Sequence, residues 1–155
     1  MKLKPIIRFA IFFSIVFFRI PASAQTTDVD WVRGTDFSKF HTFTWATGAY
    51  PIQDPDANLG FARAVQEELE HKNVKFVDPQ QKFDVFVTYN ARVSPDPKDS
   101  SRNLITVQVR IFESRNNTVI WRAGGVTTLA KDRDENRKNV RELLASMFQK
   151  YPASS

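Results

Sequence analysis

The chain has 155 residues, with 22 Lys and Arg against 17 Asp and Glu and no cysteine. Without a thiol there is no disulfide framework, no thiolate metal site and no cysteine nucleophile. The basic excess is local: the first 24 residues hold Lys2, Lys4, Arg8 and Arg19 and no acid, and without them 18 cations face 17 anions, which is no argument for nucleic acid.

The opening "MKLKPIIRFAIFFSIVFFRIPASAQ" sets a basic start, an apolar run from Phe9 to Phe18, and the small residues Ala22 and Ala24 ahead of Gln25. That order reads as a secretory signal peptide cleaved after Ala24, with Gln25 as the mature N-terminus. A membrane anchor needs about 20 apolar residues, and Arg8 and Arg19 bracket a run about half that length. The cysteine that lipid-anchored envelope proteins carry after the leader is missing. The expected protein is therefore exported, periplasmic and soluble after loss of residues 1–24, with no lipid anchor. The 131 residues left of the 155 fit one domain, 25–155, able to bury roughly two thirds of the unfolded chain's surface; residues 152–155 are expected as a disordered tail.

Along the chain, "VDWVR" at 29–33 predicts a first strand and Gly34-Thr35 a turn. In "DFSKFHTFTW", 36–45, aromatic and β-branched residues at period two predict a second strand, with Phe43 and Trp45 beside His41 and with Phe40, Thr42 and Thr44 opposite. "GAYPIQDPDAN", 48–58, reads as a loop. Phe61, Ala62, Val65 and Leu69 then form one stripe of a helix over 57–72, with Asp54 or Asp56 as its N-cap and Asn73 as its left-handed stop.

After a short "VKFV" strand, alternation sends Phe83, Val85, Val87, Tyr89, Ala91 and Val93 to one face, and Asp84, Phe86, Thr88, Asn90 and Arg92 to the other. "SPDPKDSSRN", 94–103, reads as a polar, mobile loop. A strand with Ile105, Val107, Val109 and Ile111 inward turns at Arg115-Asn116-Asn117 into another with Val119, Trp121 and Ala123 inward. A last helix starts near Asp132 or Asp134, carries Val140, Leu143, Leu144, Met147, Phe148 and Tyr151 on one stripe, and stops at Pro152. The expected fold is α+β: an antiparallel β-sheet with both amphipathic helices packed on one face.

The same alternation puts Arg92, Arg110 and Arg122, one from each long strand, on the other face beside Thr88, Asn90, Thr106 and Gln108. Guanidinium groups bind carboxylate and phosphate bidentately, so this face is the candidate anion-facing surface.

Other chemistry is thin. His41 and His71 are the only histidines and have no partner at metal-ligand spacing. "DRDEN", 132–136, starts like a calcium loop, but Arg137 stands where the turn needs Gly and Leu143 where a bidentate Glu belongs; a charged helix start accounts for it. Gly124-Gly125 lacks the surroundings of a phosphate cradle and marks a bulge or a close backbone approach. "NNT", 116–118, matches a glycan acceptor inside a hairpin turn. No serine sits in a nucleophile elbow. The expectation is a protein with no enzyme activity, cofactor or metal.

The residues in order resemble a family of bacterial envelope proteins known only as domain of unknown function 4136. The resemblance rests on Asp36, Phe37, Ser38, Phe40, Thr42, Phe43 and Trp45, then "FDVFVTY", then "VIWRAGG", and a last helix running into Tyr151-Pro152. It implies an exported α+β envelope domain and supplies no activity; many relatives look lipid-anchored through a leader cysteine that this chain lacks. The function expected is a noncatalytic periplasmic module contacting an envelope protein or an anionic envelope component. The alternatives are a carrier of a small apolar ligand and, behind it, an envelope hydrolase with carboxylates that meet in space. The cluster at 36–45, with His41 as its one imidazole, reads as scaffold.

Overall fold

A computed structural model describes residues 25–46 and 55–152. The elements are β1 (Thr26–Trp31), a 3-10 turn (Phe37–Lys39), β2 (Thr42–Trp45), α1 (Pro55–His71), β3 (Lys75–Phe76), β4 (Val85–Asp96), β5 (Asp99–Glu113), β6 (Thr118–Leu129) and α2 (Arg133–Gln149). They build one six-stranded sheet in the order β1-β6-β5-β4-β2-β3.

The class is α+β, as expected, but the sheet is mixed. β1, β4, β5 and β6 pair antiparallel, whereas β2 runs parallel to both β3 and β4. The cause is the helix: α1 carries the chain back to the end where β2 began, so β3 must enter in β2's direction. Residues 77–84 then pass β2 again, anchored where the Val77 N–H donates to the Phe43 carbonyl (2.9 Å) and the Asp84 N–H to the Thr42 carbonyl (3.2 Å).

Both helices turn their stripes to one face. Phe61, Val65 and Leu69 of α1 and Leu143, Leu144, Met147 and Phe148 of α2 join Val85, Val87, Tyr89, Val107, Val109, Ile111 and Trp121 in one core. The caps follow local chemistry. Asp132 accepts from the N–H groups of Asp134 and Glu135 at the start of α2, and Asn73 ends α1 in the left-handed region at φ 63. Pro55 opens α1, a position where its missing N–H costs nothing; Asp56 therefore lies inside the helix, and Asp54 lies outside the described residues.

Several expectations change. The segment 36–45 is not one strand: Asp36 caps the 3-10 turn, Phe37 and Phe40 are buried, and only Thr42–Trp45 pairs. Residues 94–96 and 99–103 are strand rather than loop, because β4 and β5 continue to a tight turn at 97–98, where Asp96 and Asp99 accept from the N–H groups of Lys98 (2.9 Å) and Ser101 (3.0 Å). Val93 stands on the inner face but is 55% exposed. In β6 the register slips after Ile111 and Trp121, so Ile120 is an inserted residue; it is buried beside Trp121, and Val119 pairs with Phe112 instead of facing inward. The first strand starts earlier than expected, at Thr26. The expected cleavage residues Ala22 and Ala24 and the tail beyond Pro152 lie outside the described residues.

Candidate functional site

The face of the sheet away from the helices is organised in rows by cross-strand register. One row holds Phe86 and Phe112, whose rings stack with centroids 4.7 Å apart and planes 6° from parallel. The next holds Thr88, Arg110, Arg122 and Asp30; then Asn90, Gln108, Gly124 and Asp28; then Arg92, Thr106, Val126 and Thr26. All three candidate arginines are on this face and exposed, as alternation predicts.

They are not equivalent. Arg110 and Arg122 are direct cross-strand partners, an arrangement that costs free energy between like charges. Arg122 relieves it by donating to the Asp30 carboxylate at 2.8 Å across the β1–β6 pairing. Among the described residues Arg92 and Arg110 have no ion pair. Arg92 instead borders a shallow depression of about 380 Å³ with Asn90, Ser94, Thr106 and Gln108. A second depression, about 300 Å³, lies where Arg110 and Arg122 meet Asp30, Trp31 and Val32. A guanidinium beside carboxamides and hydroxyls can hold a carboxylate or phosphate by charge while its neighbours satisfy the remaining acceptor positions.

The residues that carried the family resemblance work elsewhere, as scaffold. Asp36 accepts from the Ser38 N–H and hydroxyl. Phe37 meets Tyr151 edge to face at 5.1 Å, Phe43 meets Trp45 at 5.5 Å, and Trp45 meets Tyr89 at 5.4 Å. Trp121 lies against Phe148 at 4.9 Å with no exposed surface. Thr42 is tied to Asp84, and burial pushes the Asp84 carboxyl up; the N–H of His41, the Thr42 hydroxyl and the Thr42 N–H outweigh it and hold the carboxyl below its ordinary value.

His41 and His71 are exposed, the first just ahead of β2 and the second at the end of α1. Among the described residues no three of His, Asp and Glu gather to hold a metal ion. Asp132 is occupied by its cap, and Asp134 pairs with Arg137 at 3.3 Å. Gly125 marks a close approach: a Cβ there would lie 2.7 Å from Cδ1 of Leu143. Gln25 donates from its side chain to the Asn139 carbonyl at 3.5 Å. Sequence reading missed the Asp30–Arg122 pair and the Phe86–Phe112 stack. The outward phase of Phe86 was the one signal available for the stack; the ion pair joins residues 92 positions apart and has no local signature.

The family profile described as a domain of unknown function, DUF4136, matches residues 26–153. Solved structures with a similar fold include a DUF4136 family protein from Bacteroides thetaiotaomicron, 13% identical, with a TM-score of 0.58 over 84% of this chain and 97% of that one. PelC from Paraburkholderia phytofirmans, solved as a dodecamer, is 16% identical with a TM-score of 0.56 over 77% of this chain and 95% of that one. A PDZ domain protein from Parabacteroides distasonis is 15% identical with a TM-score of 0.60, and the likeness covers 86% of this chain but 38% of that one. At such identities the likeness is one of fold. No curated protein matches the sequence.

Proposed function

The chain belongs to the DUF4136 family, a domain of unknown function, and we propose that it is a noncatalytic, exported envelope module that contacts an anionic envelope component through the open face of its sheet. The observation that carries this reading is the convergence of Arg92, Arg110 and Arg122, from three successive strands, on one exposed surface with two depressions. Export is supported by the leader pattern of Lys2, Lys4 and Arg8 before an apolar run and Ala22-Ser23-Ala24. Among the described residues no helix is long and apolar enough to cross a membrane. The carrier reading gains no comparable support: it asks for an apolar cavity between sheet and helices, whereas the two depressions are bordered by arginines of the open face.

The test is co-sedimentation of the exported protein with vesicles containing phosphatidylglycerol, with neutral vesicles, and with carboxylate-rich cell-wall peptide, at low and high ionic strength. Salt-sensitive binding to at least one anionic target is expected, and the triple Arg→Gln variant at 92, 110 and 122 should lose it while keeping the wild-type melting temperature. If the wild type binds neither anionic target at low salt, or binds neutral vesicles as well, the reading fails. Mass spectrometry of the exported protein checks the leader: the expected first residue is Gln25.

A further inference from the structure

β1 forms one edge of the sheet, and β3 the other. In a strand, the N–H and C=O of one residue point to the same side and those of the next residue to the opposite side. The Val32 N–H donates to the Ile120 carbonyl at 3.0 Å, and the Thr26 carbonyl lies 3.2 Å from where a Cβ on Gly125 would stand. The even-numbered residues of β1 therefore face β6, and Thr27, Val29 and Trp31 direct their backbone donors and acceptors to the free side. Among the described residues no strand pairs with β1 on that side.

Natural edges are blunted by short length, charged side chains (Lys above all), Pro or bulges. β3 is two residues long, which suffices. β1 has six residues and no Lys or Pro, pairs with β6 without a register shift, and carries as its charges only Asp28 and Asp30, both on the open face, which repel another acid but invite a cation. At its end Trp31 and Val32 are 43% and 48% exposed and border the depression that Arg110 and Arg122 share.

We propose that the free edge of β1 accepts an extended segment of another polypeptide, and that this segment alternates basic with apolar side chains. On the open face a new strand would lie beside Asp28 and Asp30. Asp30 is engaged by Arg122, whereas Asp28 is exposed and has no ion pair among the described residues, so it meets a Lys or Arg. On the helix side the new strand would lie beside Thr27, Val29 and Trp31, where Lys150 already donates to the Thr27 hydroxyl at 3.3 Å; a second cation is repelled there, and apolar side chains extend the contact with Val29 and Trp31. A second copy of β1 fits badly, because antiparallel self-pairing sets acids at 28 and 30 against acids.

The probe is a short acetylated peptide of alternating valine and lysine, titrated at low ionic strength into the isotope-labelled protein. The amides of Thr27, Val29 and Trp31 should gain about tenfold or more protection from hydrogen exchange, and a peptide with aspartate in place of lysine should give none. Asp28→Lys should reverse that preference. Thr27→Pro removes an outward N–H that the fold does not use, so it should abolish binding and keep the melting temperature. As a control that leaves the protein unaltered, a valine–lysine peptide N-methylated on its pairing edge should not bind. Binding without protection of the three amides, equal binding of the N-methylated peptide, or self-association that Thr27→Pro abolishes would each overturn the proposal; the last would make a second copy the occupant. Because these variants leave Arg92 and Arg110 in place, binding to anionic vesicles reports on the arginine surface separately.

Discussion

Thr42 and Asp84 clasp each other where the parallel strands β2 and β4 begin. The Thr42 hydroxyl donates to the Asp84 carboxylate at 3.0 Å and accepts from the Asp84 N–H at 3.1 Å, while the N–H groups of His41 and Thr42 donate to the same carboxylate oxygen at 2.9 and 3.1 Å. Parallel strands cannot be joined by a tight hairpin, so their register needs another pin, and this pair supplies it.

Removing that carboxylate strands backbone donors, and Asp84→Ala should cost about 2 kcal/mol. The pH dependence follows from the direction of the shift: a carboxyl held below its ordinary value of 3.8 contributes stability above that pH and loses it as pH falls through the lower folded value. Urea unfolding from neutral pH to about pH 2 should show a shallower acid decline in the variant than in the wild type. A variant with an unchanged midpoint and an unchanged acid limb would mean that the clasp holds nothing.

Gly125 and Gly124 offer a paired comparison. A Cβ on Gly125 would stand 2.7 Å from Cδ1 and 3.2 Å from Cγ of fully buried Leu143, while on Gly124 the nearest atom, the Val107 carbonyl oxygen, is 3.8 Å away. Gly125→Ala should therefore destabilise by about 1 to 3 kcal/mol and Gly124→Ala should be nearly neutral. In a Leu143→Ala background the cost at 125 should shrink, which a double-mutant cycle by thermal melting measures.

Period-two alternation located the inner face because it is a local property of each strand: Val85, Val87, Val107, Val109 and Ile111 have no exposed surface. The Arg-bearing face followed from the same phase. Where sequence reading failed, the deciding contact was remote or the pattern was silent. "TVIWRA" carries three apolar residues in a row, which hides the inserted Ile120. The direction of β2 depends on α1 returning the chain, not on any residue in β2. The polar stretch 94–103 matches loop chemistry, yet two short side-chain-to-backbone turns let the strands run through it. Trp45 and Trp121 look alike in sequence; Trp121 is fully buried whereas Trp45 is partly open, so equal energetic weight for the two is not expected.

Tyr151 carries a buried hydroxyl with no hydrogen-bond partner among the described residues, and burial pushes its pKa well above the ordinary 10.0. A buried unsatisfied hydroxyl contributes nothing favourable, so Tyr151→Phe should be neutral or stabilising by up to about 1 kcal/mol. The folded state keeps the proton that the unfolded chain releases, so stability falls as pH rises above 10.0. Denaturation across that range should show an alkaline decline in the wild type that Tyr151→Phe reduces. An identical decline in both would show that the hydroxyl is solvated.

The Asp30–Arg122 pair offers the sharpest test of the open face, since it sets how much positive charge that face presents. The pair is solvent-exposed, with side chains 60% and 66% accessible, so its contribution to stability is about 0 to 1 kcal/mol. Asp30→Asn should leave the melting temperature almost unchanged while freeing Arg122 to stand with Arg110 beside the same depression. If the surface binds anions, the variant should bind phosphatidylglycerol vesicles about threefold to tenfold more tightly at low ionic strength, with a steeper salt dependence. Adding Arg122→Gln to Asp30→Asn should return the affinity to about the wild-type level, because the charge released is the charge removed. Unchanged or weaker binding by the single variant would exclude Arg122 from the surface and leave Arg92 and Arg110 to carry it.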